Sequence, residues 1–393
     1  MVNKYTPLAL LIAFLSLSDY MSLIFSEMDI PDFAIFPVFF ILSFISFVYY
    51  NSSKISLPQV YYILFVSFYF ILISILNFED LRLEGFSVFF SFFTATFIYL
   101  VLNERSFTEL FYLLLMSLFF YLLGALSFEL VNKVLGGNNL IIIFQNNLPY
   151  LFVITFLLYS LRKSIGYGKG ISTLNYCFFL LFIYILFSLF EYGNYRIQFK
   201  IIFLMSFLSI LIFFEKIIIN NFYFFKLSLL LFALISIPFF WLIQEQLEFF
   251  VNASGRLGSG MMRIEVFNAI IIKLQTFSQM LIGSGLGASS IEFEVIHNNI
   301  MYELRSHSGF ASIMLDFGLL GLVTFFWIPC LLLLYRLRAS PKVFLYGFLI
   351  SFCWIFLNTV YLSAIPTANI YNFSMLSLVL VSISLFTKFK TVK

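Results

Sequence analysis

Charged residues are scarce in this chain, and their scarcity excludes an ordinary soluble domain. Only 10% of the 393 residues are charged, whereas charged residues make up about a quarter of a typical soluble domain. Hydrophobic residues account for 62% and aromatic residues for 21%. Apolar stretches recur along nearly the whole chain and leave no segment of domain size between them. We therefore expect a single integral membrane domain over residues 1–393, with membrane lipids and no nucleic acid among its partners.

Cysteine and metal-ligand motifs are also rare, which argues against two further classes of site. The three cysteines, Cys177, Cys330 and Cys353, lie in apolar runs without CxxC spacing, so we expect buried thiols and no disulfide framework. The sequence has no HExxH motif and no acidic cluster with metal-ligand spacing. The stretch GSGLGA, 283–288, lacks the GxGxxG spacing and flanking strand of a nucleotide loop. We expect no metal and no cofactor, and we interpret 283–288 as a flexible turn.

Long apolar runs are abundant, and a transmembrane helix needs about 20 largely apolar residues. The sequence predicts an all-α polytopic membrane protein of about twelve transmembrane helices with one large extracytoplasmic loop. The predicted spans lie near 7–25, 33–50, 59–76, 86–102, 107–124, 140–161, 174–190, 198–214, 226–243, 308–335, 343–362 and 370–388. The first run lacks a small-residue cleavage site, so we expect it to remain as a helix.

The basic residues indicate the orientation of these spans, because cytoplasmic loops of membrane proteins are enriched in Lys and Arg. With a cytoplasmic N-terminus, fourteen of the 22 basic residues fall in cytoplasmic segments, while acids gather in the outer loops. Both termini are therefore predicted to be cytoplasmic, and the long loop, residues 244–306, faces outward. Within it we predict a surface helix over 263–282 and a second short helix over 292–304.

His307 lies at the start of the apolar run that follows this loop, next to Arg305. If 308–335 is a regular helix, Gly318 lies within about 20° of the azimuth of His307 and roughly 16 Å deeper, and Gly321 within about 40°. Two interpretations stay open: close helix packing between small residues, or a smooth slot for a lipid chain. Asp316 falls on the opposite face, where we expect a packing or polar-network role.

Arginines outside the predicted cytoplasmic segments are candidates for anion binding. Arg256 and Arg263 lie in the glycine- and serine-containing stretch NASGRLGSGMMRIE, and Arg196 precedes the eighth span. Guanidinium groups bind phosphate oxygens in a bidentate manner, and an outward-facing site favours a lipid-linked phosphate or diphosphate. The alternative is that these side chains extend to lipid headgroups. A neutral imidazole at His307 could act as a base near neutral pH, whereas His297 is interpreted as a solvated loop residue.

The succession of spaced loop arginines, IGSGLGA and HSGFASIMLDFGLLGL resembles the bacterial O-antigen polymerase and O-antigen ligase superfamily. Members carry a glycine-containing turn, then a His followed by Asn or Ser and two glycines that lead into a transmembrane helix. His307, Ser308, Gly318 and Gly321 meet that spacing. The resemblance covers the last third of the chain by motif and the rest by its twelve-span pattern. A Trp that many relatives place after the loop arginine is absent here.

The resemblance implies a GT-C-like, metal-independent inverting glycosyltransferase of the bacterial inner membrane. Its donor would be an undecaprenyl diphosphate-linked oligosaccharide, held by Arg256 and Arg263 together with Arg196 and Arg305. His307 would accept the proton of the acceptor hydroxyl. We favour the polymerase, which extends another lipid-linked repeat unit, over the ligase, whose acceptor is lipid A-core. A chain-length regulator and a flippase are candidate partners, and a lipid-linked oligosaccharide flippase or transporter is the alternative from another class.

Overall fold

The computed structural model describes the N-terminal third of the chain in most detail. The described residues are 2–18, 20–21, 35–50, 57–76, 86–134, 171–192, 276–285, 293–297, 300–304, 309–324 and 376–388, with a few positions within 147–161, 220–224, 272–274 and at 288. Most of the described residues are helical. The helices are α1 Val2–Ser16, α2 Ile35–Tyr50, α3 Leu57–Leu76, α4 Phe86–Asn103, α5 Phe107–Val134, α6 Ile171–Tyr192, α7 Phe277–Ile282, α8 Gly309–Leu322 and α9 Leu376–Lys388. An antiparallel hairpin of β1 Phe293–His297 and β2 Ile300–Leu304 precedes α8.

Four of the described helices lie where the apolar runs predict them, whereas α1, Val2–Ser16, begins and ends earlier than the predicted span 7–25. The runs at 33–50, 59–76, 86–102 and 174–190 agree within three residues at each end with α2, α3, α4 and α6. Helix α5 continues to Val134, ten residues past its predicted end, so the fifth run was placed too short. The predicted spans 198–214, 226–243 and 343–362, and most of 140–161, lie outside the described residues.

Two described helices are long and apolar enough to cross a membrane. They are α3 and the segment Phe107–Lys133 of α5, each with a mean hydropathy of 2.1. The two differ in burial: 22% of the apolar window of α3 is buried inside the protein, against 56% for α5. The structure is thus compatible with an α-helical membrane protein in which α5 is an inner helix and α3 a peripheral one.

Helix α5 is the centre of the main hydrophobic core. It packs against α1, α6 and α9. Its buried side chains lie on several sides of the helix, since three consecutive residues, Leu113, Leu114 and Leu115, are all buried. A helix that is apolar on all sides is expected to be surrounded by other helices, which explains its central position.

Phenylalanines join α2 to α4 along matching helical faces. Phe40, Phe44 and Phe47 follow each other at intervals of four and three residues, which places them on one face of α2. Phe97 lies 5.8, 5.4 and 5.3 Å from these three rings, measured between centroids. Two of these pairs are tilted or edge-on and the third is stacked. Edge-on and offset-stacked rings are favoured over rings that face each other directly, so these contacts help to hold α2 against α4.

Arg105 connects three segments at the junction between α4 and α5. Its guanidinium donates to the carbonyl of Tyr50 at 2.9 Å, and its Cζ lies 5.4 Å from the ring centroids of Tyr5 and Tyr50. The Tyr5 hydroxyl donates to the Glu109 carboxylate. Ser106 and Glu109 also satisfy each other's backbone N–H groups in the capping box that begins α5. One cation therefore holds α1, the end of α2 and the start of α5 together.

We expect Arg105→Lys to lower the free energy of unfolding by about 1 to 2 kcal/mol, because lysine keeps the charge but loses the planar group that contacts two rings and a carbonyl. Unfolding of the full chain in mixed detergent micelles measures this. Lys388→Ala, at the end of α9, is the control and should change stability by about 0.5 kcal/mol or less. Equal effects of the two substitutions would contradict a stabilising role for these contacts.

The hairpin corrects the second predicted surface helix, 292–304. β1 and β2 pair in antiparallel register, with Phe293 opposite Leu304 and His297 opposite Ile300. The sequence contained the signal, because β-branched and aromatic residues flank the dipeptide Asn298–Asn299. Asparagine tolerates the left-handed backbone that two-residue hairpin turns require. The prediction of a helix there was wrong because strand propensity and turn chemistry were given too little weight.

Candidate functional site

The sequence-predicted site residues divide into two groups. The histidine and arginine candidates lie outside the residues that the structure describes: Arg196, Arg256, Arg263, Arg305 and His307. Gly318 and Gly321 lie in α8, which begins at Gly309, two residues after His307. The structure thus describes the helix that would support His307, together with those described residues that pack against it.

Helix α8 is interrupted at Gly318. The residue has φ 63° and ψ −161°, outside the helical region. Positive φ is unfavourable for residues with a Cβ atom and open to glycine. The alignment of His307, Gly318 and Gly321 was calculated for a regular helix. That assumption is wrong at Gly318, so the predicted alignment of Gly321 with the residues before it does not hold.

The turn at 283–288 packs directly against this interruption. An ideal Cβ at Gly318 would lie 2.6 Å from the backbone nitrogen of Gly283 and from the carbonyl carbon and oxygen of Leu281. An ideal Cβ at Gly283, whose φ is 83°, would in turn clash with the carbonyl of Asp316. We call residues 283–285 and 315–321 together the glycine junction. For Gly318 the observed contact is backbone packing.

Backbone hydrogen bonds fasten the turn to α8. Ser284 N–H donates to the Leu315 carbonyl at 2.7 Å, and Gly285 N–H donates to the Asp316 carbonyl at 3.3 Å. In a regular helix these carbonyls would accept from residues 319 and 320, across residue 318. The turn therefore donates to two carbonyls whose helical bonds would cross the interruption at Gly318. Irregular backbone that is buried requires such hydrogen-bond partners.

Tyr69 of α3 completes the junction. Its hydroxyl donates to the carbonyl of Phe317 at 2.6 Å. In a regular helix that carbonyl would accept from the N–H of Gly321, so the Tyr69 hydroxyl bonds to an acceptor that a helical donor would otherwise use. The ring of Tyr69 is buried against Phe317, at a centroid distance of 6.4 Å.

A short helix leads into the turn. α7 begins with a capping box, in which Thr276 Oγ1 accepts from Gln279 N–H at 3.1 Å and Gln279 Oε1 accepts from Thr276 N–H at 3.3 Å. It ends where Gly283 N–H donates to the Gln279 carbonyl. The predicted continuous surface helix over 263–282 is wrong at this end, because a new helix starts after Thr276. The TFSQ sequence is a capping-box signal that would have located this start.

Two polar side chains are buried in the glycine junction. Asp316 is fully buried, and Ser284 is 6% exposed. Among the described residues, the Ser284 hydroxyl has no hydrogen-bond partner. Asp316 was predicted to serve in packing or a polar network, and its burial agrees with that. The described residues hold no group of three His, Cys, Asp or Glu side chains that could bind a metal ion.

The sequence interpretation missed Tyr69 altogether. It is one of 23 tyrosines, within a run of apolar residues, and no local pattern distinguishes it. The contact between Gly283 and Gly318 was also missed, although both glycines were noted separately. Comparison with family profiles, curated proteins and solved structures gives no match.

Proposed function

We propose that this chain is an integral-membrane glycosyltransferase that polymerises a surface polysaccharide, with O-antigen polymerase as its most specific form. One observation supports this above the others. The two glycine-bearing segments on which the resemblance rests, the turn at 283–288 and the helix after His307, pack glycine against glycine and share hydrogen bonds. A site formed between the outer loop and this helix needs such a fixed connection.

In this proposal the chain crosses the bacterial inner membrane about twelve times, with both termini in the cytoplasm and residues 244–306 outside. The agreement of α2, α3, α4 and α6 with predicted spans supports the multi-pass arrangement. The concentration of Lys and Arg in the predicted cytoplasmic segments supports the orientation. The donor then reaches the site from the outer leaflet, where cytoplasmic nucleotide sugars are absent.

The proposed reaction transfers a glycan from undecaprenyl diphosphate to a sugar hydroxyl of another lipid-linked repeat unit. The hydroxyl oxygen attacks the anomeric carbon with inversion, and the bond between that carbon and the diphosphate oxygen breaks. His307 accepts the hydroxyl proton. Arg256 and Arg263, with Arg196 and Arg305, stabilise the negative charge on the departing diphosphate. The guanidinium groups would supply the positive charge without a metal ion.

Deleting and restoring the gene in its source strain tests this proposal through the lipopolysaccharide ladder on a gel. We expect the deletion to leave lipid A-core with a single repeat unit and no ladder, because single units can still be ligated when they are not polymerised. Complete loss of O-antigen, with long polymer retained on the lipid carrier, would instead identify the ligase. An unchanged ladder would contradict both the O-antigen polymerase and the O-antigen ligase, and the capsular polysaccharide of the same strains would then be compared.

A lipid-linked oligosaccharide transporter is the second candidate, and the interruption of α8 is the observation that favours it. Transporters place substrates at interrupted helices, and a buried acid within a membrane segment often has a transport role. Asp316 lies beside such an interruption. Asp316→Asn distinguishes the two: a transporter would accumulate unpolymerised donor on the cytoplasmic face, whereas a polymerase defect would accumulate it outside.

A further inference from the structure

Tyr69 donates to a carbonyl of α8 whose helical bond would cross Gly318. The Phe317 carbonyl accepts from the Tyr69 hydroxyl at 2.6 Å, and in a regular helix its donor would be the Gly321 N–H. A side chain inserted between residues i and i+4 is a recognised cause of a sharp kink. Here the side chain comes from α3, which lies 248 residues away in sequence, so the shape of α8 depends on the packing of another helix.

The Tyr69 hydrogen bond and the docked turn depend on the same interruption. The carbonyls of Leu315, Asp316 and Phe317 are those whose helical bonds would cross residue 318. The turn supplies donors to the first two and Tyr69 supplies a donor to the third. If α8 were regular, these carbonyls would accept hydrogen bonds from the N–H groups of residues 319 to 321. The turn would then have to bond to carbonyls that already have partners.

We propose that Tyr69 is a positioning residue, whose hydroxyl keeps α8 interrupted at Gly318 and so keeps the 283–285 turn docked on it. The consequence for catalysis rests on the proposed glycosyl transfer: the turn follows, in sequence, the loop that carries Arg256 and Arg263, and α8 follows His307. Without the hydroxyl, the Gly321 N–H bonds to the Phe317 carbonyl, α8 becomes regular, and the turn is released.

Tyr62 provides a matched control on the same helix. Its hydroxyl donates to the Thr324 carbonyl of the chain that continues from α8, at 3.2 Å. It lies two helical turns from Tyr69, on the same face of α3. Tyr62→Phe therefore removes one phenol hydroxyl and one hydrogen bond between the same two segments, but Thr324 lies beyond the interruption. Only Tyr69→Phe removes a donor to a carbonyl whose helical bond would cross Gly318.

Thiol labelling of the full chain in detergent measures docking without requiring activity. Ser284→Cys places a reporter in the turn, and the native Cys177 of α6, which is fully buried, reports global unfolding. Cys330 and Cys353 are replaced by alanine. We expect Tyr69→Phe to increase the labelling rate at position 284 about tenfold, since one buried hydrogen-bonding group shifts a local equilibrium by about that factor. Labelling of Cys177 should not change, and Tyr62→Phe should leave both rates unchanged.

The outcomes separate this inference from the proposed function. Equal labelling at position 284 in the Tyr69→Phe and Tyr62→Phe variants would overturn the positioning role, whatever the protein does. A parallel rise at position 284 and at Cys177 would also overturn it, because general destabilisation would then explain the result. Faster labelling confined to position 284 would establish the coupling, even if the gene deletion left polysaccharide unchanged and only the proposed polymerase failed.

Discussion

Replacing Gly318 with alanine is expected to detach the 283–285 turn from α8 and to lower the free energy of unfolding by about 2 to 4 kcal/mol. Two effects add. A residue with a Cβ atom disfavours the observed φ of 63°, and the new methyl group would lie 2.6 Å from backbone atoms of Gly283 and Leu281. Backbone atoms cannot move aside as the end of a side chain can. Unfolding in mixed micelles measures the loss of stability, and thiol labelling at position 284 measures the detachment of the turn.

Gly124→Ala is the matched control, since it adds the same methyl group inside α5. Its ideal Cβ also lies 2.6 Å from a neighbour, but that neighbour is the Cδ1 methyl of Leu17. A side-chain end can rotate away, and alanine gains helix propensity over glycine. We expect a change in stability of about 1 kcal/mol or less. If the two alanine variants were equally stable, close backbone packing at Gly318 would not be the cause.

Gly283→Ala tests the same contact from the other side. Gly283 has φ 83°, and its added Cβ would clash with the Asp316 carbonyl. Each single substitution should already separate the turn from α8, so the double variant should lose much less than the sum of the two. Such non-additivity is expected for residues that share one contact. Additive losses would indicate that the two glycines act independently.

The helices of this protein could be predicted because membrane helices leave a direct mark on sequence. Each needs a long apolar run, and the runs at 33–50 and 86–102 mark α2 and α4 closely. The length of α5 could not be read in this way. Glu129 and Asn132 interrupt its apolar pattern and suggest a loop, yet both are buried in the helix by its neighbours. Packing against neighbouring helices thus allows α5 to continue past residue 124, where its apolar composition predicts that it ends.

The glycine junction could be predicted only in its parts. The positive φ of Gly283 and Gly318 suits glycine, and both residues belong to the motifs singled out in the sequence. What brings them together is a contact between segments some 35 residues apart, and a hydroxyl from α3. Small residues in an apolar run usually indicate helix packing, so nothing local distinguished an interrupted helix from a smooth one. The conformation at Gly318 depends on contacts with Gly283 and with Tyr69, which are distant from this helix in the sequence.

His307→Ala is expected to reduce glycosyl transfer by about 10²- to 10⁴-fold, the usual contribution of a general base. The substitution removes the proposed proton acceptor, two residues before α8 begins. Polymer formed on the lipid carrier by the purified full chain measures the loss. His297→Ala, in the last residue of β1, is the control and should retain turnover within a few fold. Full turnover by the His307 variant would remove it from the proposed mechanism.

The His307 and Gly318 variants should lose activity for different reasons, and labelling at position 284 distinguishes them. His307→Ala removes a chemical group and leaves the glycine junction intact, so the turn should stay protected while transfer stops. Gly318→Ala leaves the imidazole in place, so transfer should fall only because the turn is released. If His307→Ala also exposed position 284, the histidine would be part of the structural connection, and its loss of activity could not be assigned to proton transfer.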